Sequence, residues 1–148
     1  MKSLDAIVLA GGFAKRLSPL SEYLPKPLLP LGGVPLMNYI IDALIETVKP
    51  QRIIISTNAK FAANFKYWIK NDDNIQRYID KLSLVVEPTL RSNEEKFGAI
   101  RGLQYVLHEE WVEEDALIIA GDNFFHGFDL RKLRNLMWEK KIIRSCCL

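Results

Sequence analysis

The chain has 148 residues, 49% of them hydrophobic, and a formal net charge of +2 from 20 basic and 18 acidic side chains. This length is enough for one globular core, since a domain of this size buries roughly 68–70% of its unfolded-chain surface. The balanced charge excludes the basic footprint of a nucleic-acid-binding domain. No apolar run reaches the ~18 residues that indicate a membrane span. We therefore expect neither nucleic acid nor membrane as a partner.

The termini favour a cytoplasmic location. The first residues lead directly into a predicted strand, without a secretory apolar region and cleavage site. Cys146 and Cys147 are adjacent at the end of the chain. Such a pair cannot join distant segments by a disulfide and lacks the spacing of metal ligands. A reducing, cytoplasmic setting is the expectation.

Short apolar runs alternate with helical patterns along the chain. Continuous apolar runs are typical of strands buried on both faces, and they predict strands at residues 6–9, 52–56, 82–86 and 116–120. Apolar residues at helical spacing predict helices at 35–48, 61–71, 98–110 and 130–140, with a short helix ending near residue 80. This alternation predicts an α/β fold, a Rossmann-like three-layer sandwich with a mostly parallel sheet.

Turns after the first and last predicted strands are expected to meet at one edge of the sheet. Gly11 and Gly12 close the first strand, and Gly121-Asp122-Asn123 follows the last. In parallel sheets, ligands bind beyond the carboxyl ends of the strands. Glycines can adopt positive φ and allow backbone N–H groups to approach an anion closely. The sequence thus predicts an anion site at this edge.

Two cations follow the glycine turn. Arg16 offers a guanidinium that can grip phosphate oxygens in a fork, and Lys26 offers an ammonium that acts as a point charge. Pro25 and Pro27 fix φ on both sides of Lys26, so its segment is expected to be stiff. A solvated loop is the alternative, because Lys and Arg are mostly exposed. The upstream glycines favour a phosphate site.

Asp122 is the predicted metal ligand. Mg²⁺ prefers oxygen ligands and commonly uses one or two carboxylates together with phosphates. His126, four residues further on, is a poor candidate because Mg²⁺ does not favour imidazole. The alternative for Asp122 is an Asx turn or a helix cap.

The motifs LAGG-x-x-x-RL-x-PL, PKPLLPLGG-x-PL…Y, EKFGAIRGL and GDNFFHG together resemble the sugar-phosphate nucleotidylyltransferases up to about Trp138. The resemblance implies an enzyme that joins a nucleoside triphosphate to a sugar 1-phosphate, releases pyrophosphate and uses Mg²⁺. The GDN-aromatic-Gly segment resembles the glucose-1-phosphate thymidylyltransferase branch, which implies dTTP or UTP with glucose 1-phosphate. A mannose-1-phosphate guanylyltransferase-like enzyme is the alternative.

The same resemblance implies roles for individual residues. Arg16 and Lys26 would be catalytic, with Arg16 on the β- and γ-phosphates and Lys26 on the α-phosphate and the sugar phosphate. Glu87 stands where thymidylyltransferase-like relatives often carry Gln to recognise the base. An ionised Glu only accepts hydrogen bonds, so the choice of base stays open, as does an exposed Glu87 without a role. The implied nucleotide-binding residues are Leu9, Ala10, Gly11, Gly12, Glu87 and Gly98.

The catalytic domains of the family are longer than this chain. We therefore expect residues 1–140 to form an incomplete nucleotide-binding domain and residues 141–148 an atypical tail. Two hypotheses follow: an enzyme completed by a partner chain or a second copy, and a remnant that binds nucleotide without turnover. A Rossmann-like domain of other function is a third. An incomplete sheet exposes apolar surface, so we also expect self-association into a homo-oligomer.

Overall fold

The structure is a computed structural model that describes residues 4–12, 19, 22–88, 99–113, 115–124 and 129–139, without the side chains of residues 137 and 138. In chain order the elements are β1 (Leu4–Leu9), β2 (Pro30–Leu31), β3 (Val34–Pro35), α1 (Leu36–Ala43), β4 (Ile53–Asn58), α2 (Ala62–Asn71), α3 (Asp73–Gln76), β5 (Leu82–Glu87), α4 (Ala99–Glu109), β6 (Asp115–Ala120) and α5 (Leu130–Glu139).

Four parallel strands form the central sheet in the order β5-β4-β1-β6. Leu9, the last residue of β1, pairs with Ser56 on one side and with Ala120 on the other. At the far end of β4, Asn58 pairs with Glu87 of β5. The carboxyl ends of all four strands therefore lie along one edge, and the predicted parallel α/β fold is confirmed.

Successive residues of β1 point to opposite faces of the sheet and so divide the core in two. Ala6 and Val8 belong to the larger cluster, to which α1, α2 and α5 contribute, whereas Ile7 packs in a smaller cluster with Val106 of α4. Helices thus cover both faces, as the three-layer prediction requires. None of the described helices combines the length and apolar character needed to cross a membrane.

Two local features differ from the sequence predictions. The segment after Lys26 forms a 3₁₀ turn and the hairpin β2–β3, whose turn residues Gly32 and Gly33 have φ of 62° and 85°. Glycine supplies these positive φ values without steric cost. The predicted helix over 35–48 is α-helical only to Ala43 and continues as a π-helical turn (Leu44–Val48). Arg134 of α5 donates hydrogen bonds to the carbonyls of Thr47 and Val48, which satisfies the end of that turn.

Candidate functional site

An ion pair joins two predicted site residues at the carboxyl edge of the sheet. Lys26 begins the 3₁₀ turn after Pro25, and Asp122 lies in the turn after β6. Lys26 Nζ donates to Asp122 Oδ2 at 2.9 Å, across 96 residues of sequence. The two side chains are 40% and 47% exposed, and pairs this open contribute only about 0–1 kcal/mol. A ligand of higher charge can therefore separate them at little cost.

Backbone hydrogen bonds hold the end of β1 against the turn after β6 on one side and against β4 on the other. Gly121 N donates to Leu9 O at 2.8 Å, and Ala10 N donates to Ser56 O of β4 at 2.7 Å. A Cβ at position 121 would lie 3.1 Å from both Ala10 Cβ and Leu9 O, so the close approach of these turns favours glycine there. The predicted residues Leu9, Ala10 and Gly11 therefore lie beside the turn that carries Asp122.

Gly11 and Gly12 do not adopt the positive φ considered from the sequence. A different constraint acts at Gly11, where a Cβ would lie 2.9 Å from Glu87 Oε1. At Gly12, which is exposed, a Cβ would meet no atom of the described residues within 4 Å. Asn58 fixes the turn by donating from Nδ2 to Gly11 O at 2.9 Å.

Glu87 is buried, with 6% of its surface exposed, so the alternative of an exposed glutamate is wrong. Ser56 Oγ donates to Glu87 Oε1 at 2.6 Å, and a Cβ at Gly102 of α4 would lie 2.9 Å from the same oxygen. The carboxyl head thus lies between the backbones of Gly11 and Gly102, which lack the atom that would crowd it. Burial raises the pKa of Glu87 above its ordinary value of 4.5, and the Ser56 hydrogen bond opposes that rise.

This raised pKa predicts a pH-dependent effect of Glu87→Gln on stability. From pH 4.5 up to the raised pKa, the folded chain binds more protons than the unfolded chain, so stability falls as pH rises through that interval. Gln removes this loss. We expect the Tm of Glu87→Gln, relative to wild type, to rise with pH from pH 4.5 up to the raised pKa and to stay level above it, in thermal unfolding followed by circular dichroism. A difference in Tm that is constant with pH contradicts the assignment.

An aromatic pair connects the Asp122 turn to α1. The rings of Tyr39 and Phe124 meet edge to face, with centroids 5.5 Å apart and an interplanar angle of 88°. Tyr39 Oη also donates to Leu31 O in the hairpin at 2.9 Å. Neither contact was predicted, although both rings lie in the motifs PL…Y and GDNFFHG.

The residues present fit Mg²⁺ only in combination with a phosphate ligand. Among the described residues, no group of three or more His, Cys, Asp or Glu side chains could hold a metal ion. Asp122 offers one partly exposed carboxylate at the strand edge. One carboxylate together with phosphate oxygens is a donor set that Mg²⁺ accepts.

Several predicted residues lie outside the part of the chain that the structure describes. These are Arg16, Gly98, His126, Cys146 and Cys147, together with the tail at 141–148. Their predicted roles stay predictions.

A parallel α/β sheet with glycines, a lysine and a carboxylate at its carboxyl edge is typical of nucleotide-binding enzymes. The family model described as nucleotidyl transferase matches residues 5–144, and the chain belongs to this family. The chain is similar to the bifunctional protein GlmU of Methanococcus aeolicus, with 29% identity over 89% of this chain and 28% of that protein. It is 28% identical to the D-glycero-alpha-D-manno-heptose 1-phosphate guanylyltransferase of Campylobacter jejuni, over 88% of this chain and 52% of that protein.

A solved structure shows the same fold. It is described as a glucose-1-phosphate thymidylyltransferase from Bacillus anthracis in complex with a sucrose, and the superposition has a TM-score of 0.76 at 24% identity. The match covers 94% of this chain and 52% of that one. The chain thus spans between about a quarter and about half of the length of these relatives.

Proposed function

We propose that this chain binds a nucleoside triphosphate at the carboxyl edge of its sheet and transfers the nucleotidyl group to a sugar 1-phosphate, with release of pyrophosphate. The observation that carries the proposal is the meeting of Lys26 and Asp122 at 2.9 Å beside the Leu9–Gly12 segment. A carboxylate that can hold Mg²⁺ beside a cation that can neutralise phosphate oxygens suits a magnesium–triphosphate complex. Membership of the nucleotidyl transferase family supports the same reaction.

The reaction is a single in-line displacement. An oxygen of the sugar 1-phosphate attacks the α-phosphorus of the triphosphate, a new P–O bond forms, and the bond to the bridging oxygen of the β-phosphate breaks. The electron pair of that bond leaves with pyrophosphate, so no protein nucleophile is needed. Positioning and charge neutralisation supply most of the catalysis in such transfers.

The chain's own residues would hold the charges in place during this step. Lys26 would leave Asp122 and neutralise the α-phosphate and the incoming sugar phosphate. Asp122 would hold Mg²⁺ together with phosphate oxygens, and the ion would supply further charge neutralisation when bound. Arg16, which follows the Gly11-Gly12 turn in sequence, is proposed for the β- and γ-phosphates of the leaving group.

Two classes of base are candidates. The GDNFFHG segment supports dTTP or UTP with glucose 1-phosphate. Glu87 supports a second candidate, guanine, whose adjacent N1–H and N2–H donors match a carboxylate. Because Glu87 is 6% exposed and its Oε1 already accepts from Ser56, a base would have to reach the carboxyl group where it lies between Gly11 and Gly102. Thymine and uracil present one N–H between two acceptors, which suits a Gln that both donates and accepts. The guanylyltransferase among the relatives supports the second candidate.

A nucleotide panel tests both the function and the choice of base. Dissociation constants for dTTP, UTP, GTP and ATP with Mg²⁺ are measured by calorimetry, alongside pyrophosphate release with glucose 1-phosphate and mannose 1-phosphate. If Glu87 reads guanine, Glu87→Gln lowers the preference for GTP over dTTP by about tenfold or more, because one good bidentate contact discriminates by about 1–3 kcal/mol. An unchanged preference removes Glu87 from base recognition.

The same assay separates the enzyme from the remnant. Pyrophosphate release that depends on the sugar 1-phosphate supports transfer, whereas nucleotide binding without release supports a chain that binds but does not turn over. Absence of binding by all four nucleotides contradicts both.

The oligomeric state and the cellular location are also proposals. Ile100 near the start of α4 and Trp111, two residues beyond its end, are 71% and 78% exposed, and such apolar surface supports self-association. A cytoplasmic location is consistent with a reaction between soluble phosphates.

A further inference from the structure

We propose that Tyr39 is a positioning residue that holds the Lys26 segment and the Asp122 turn together at the phosphate site. The inference rests on the proposed function, because it assigns Tyr39 a role in how that site binds magnesium–nucleotide. Tyr39 does not reach the ion pair itself. It contacts the two segments that carry Lys26 and Asp122.

The first contact fixes the Lys26 segment. Tyr39 Oη donates to Leu31 O at 2.9 Å, in the hairpin that directly follows the 3₁₀ turn of Lys26. Leu36 N, at the start of α1, donates to Leu29 O at 3.0 Å and closes the same segment onto the helix. The backbone on the C-terminal side of Lys26 is thus anchored twice to α1.

The second contact fixes the Asp122 turn. The Phe124 ring packs against the Tyr39 ring at 5.5 Å, and Phe124 is only two residues from Asp122. An edge-to-face pair limits where the Phe124 backbone can lie. The position of the Asp122 carboxylate is limited in turn.

The base of this arrangement is rigid. The neighbours of Tyr39 on α1 are in the core, with Asn38 and Ile40 each 2% exposed and Ile41 fully buried. Asn38 accepts a hydrogen bond from Trp68 Nε1 at 2.8 Å and donates to Asp72 Oδ2 at 2.9 Å, so α1 is fixed to α2 and to the cap of α3. The Lys26 segment and the Asp122 turn are therefore both held against α1, whose other face is buried in the core.

The two contacts of Tyr39 lie at the surface. A role in positioning can therefore be separated from a contribution to the stability of the core. Phe124 is 49% exposed, and the Tyr39–Leu31 hydrogen bond is exposed as well. Exposed contacts of this kind contribute little to global stability. Their loss is expected to appear in the placement of Asp122, and hence in the effect of Mg²⁺ on nucleotide binding.

The test uses Phe124→Ala, Tyr39→Phe and Tyr39→Ala in the full chain. Tyr67→Ala, which removes a tyrosine that is 72% exposed on α2, is the matched control. For each protein, the dissociation constant of the tightest-binding nucleoside triphosphate is measured in EDTA and in Mg²⁺. The magnesium gain is the dissociation constant in EDTA divided by the dissociation constant in Mg²⁺. Thermal unfolding is followed in parallel.

We expect Phe124→Ala and Tyr39→Ala to lower the magnesium gain by about three- to tenfold, the range that an aromatic pair supports. Tyr39→Phe keeps the ring contact and should keep the gain, but it loses the hydrogen bond to Leu31 that fixes the Lys26 segment, so its affinity should fall equally in EDTA and in Mg²⁺. Tyr67→Ala should keep both the gain and the affinity. A gain of wild-type size in Phe124→Ala and Tyr39→Ala overturns the positioning role at the Asp122 turn, and a Tyr39→Phe variant that binds like wild type overturns the role at the Lys26 segment. If wild type shows no magnesium gain, the proposed function fails and the inference falls with it.

Discussion

Lys26→Met is expected to lower pyrophosphate release by about 10²- to 10³-fold, because that is the usual effect of removing one preorganised charge from a transition state. The affinity for a nucleoside triphosphate should fall by about tenfold or more, since a hydrogen bond from a charged donor contributes about 1.5–3 kcal/mol. Calorimetry and a coupled pyrophosphate assay measure the two effects. The calorimetric measurement of affinity applies even if the chain binds without turnover.

Lys66→Met is the matched control, because Lys66 is an exposed lysine on α2, outside the proposed site. It should leave both quantities unchanged. The Tm of Lys26→Met should stay close to that of wild type, because the pair it breaks is partly solvated. If both lysine variants bind and turn over like wild type, Lys26 has no part in the reaction.

Asp122→Asn is expected to abolish the effect of Mg²⁺ on nucleotide binding. The substitution keeps the size of the side chain and removes the charge that Mg²⁺ requires. The ratio of dissociation constants in EDTA and in Mg²⁺ should fall to about one, while affinity in EDTA should rise slightly, because a negative charge near the phosphates is gone. Calorimetry under the two conditions measures the ratio.

Asp80→Asn supplies the comparison, since Asp80 is exposed in the short 3₁₀ turn before β5. This variant should keep the full magnesium effect. A magnesium effect of wild-type size in Asp122→Asn contradicts the metal role and leaves Asp122 as the partner of Lys26 alone.

The sheet and the main contact of the site follow from local sequence patterns. Apolar runs predict all four parallel strands, and their common direction brings the turns after β1 and β6 to one edge. The Lys26–Asp122 contact is an outcome of that topology together with the stiff proline-framed segment. The metal and phosphate roles proposed for this contact rest on the chemistry of the side chains and on the family resemblance.

The environment of Glu87 could not be predicted, because it depends on residues from three different elements. Ser56 of β4, Gly11 after β1 and Gly102 of α4 surround the carboxyl group, and no local pattern brings them together. In the sequence, nothing distinguishes Gly102 from an ordinary glycine in a helix. The strand-end glycine at position 11 was expected for its backbone freedom, whereas its role here is to leave room for Glu87.

The Tyr39–Phe124 pair was missed for a similar reason. Phe124 lies in a turn and Tyr39 on a helix, and their contact depends on how α1 docks against the sheet. Helical periodicity gives the face of α1 that is buried, but not which residue reaches the end of β6. The hairpin β2–β3 could not be predicted from the sequence, because strands of two residues are too short to show an alternating pattern.

The most direct test of the central claim is the NMR spectrum of the chain with a nucleoside triphosphate and Mn²⁺ in place of Mg²⁺. Because paramagnetic broadening falls steeply with distance, we predict that amide signals of Gly11, Gly12, Lys26 and Asp122 broaden first. The opposite edge of the sheet, where Arg52 pairs with Asp5, should be unaffected. Broadening centred on that edge, or no broadening that depends on the nucleotide, contradicts a triphosphate site built on Lys26 and Asp122.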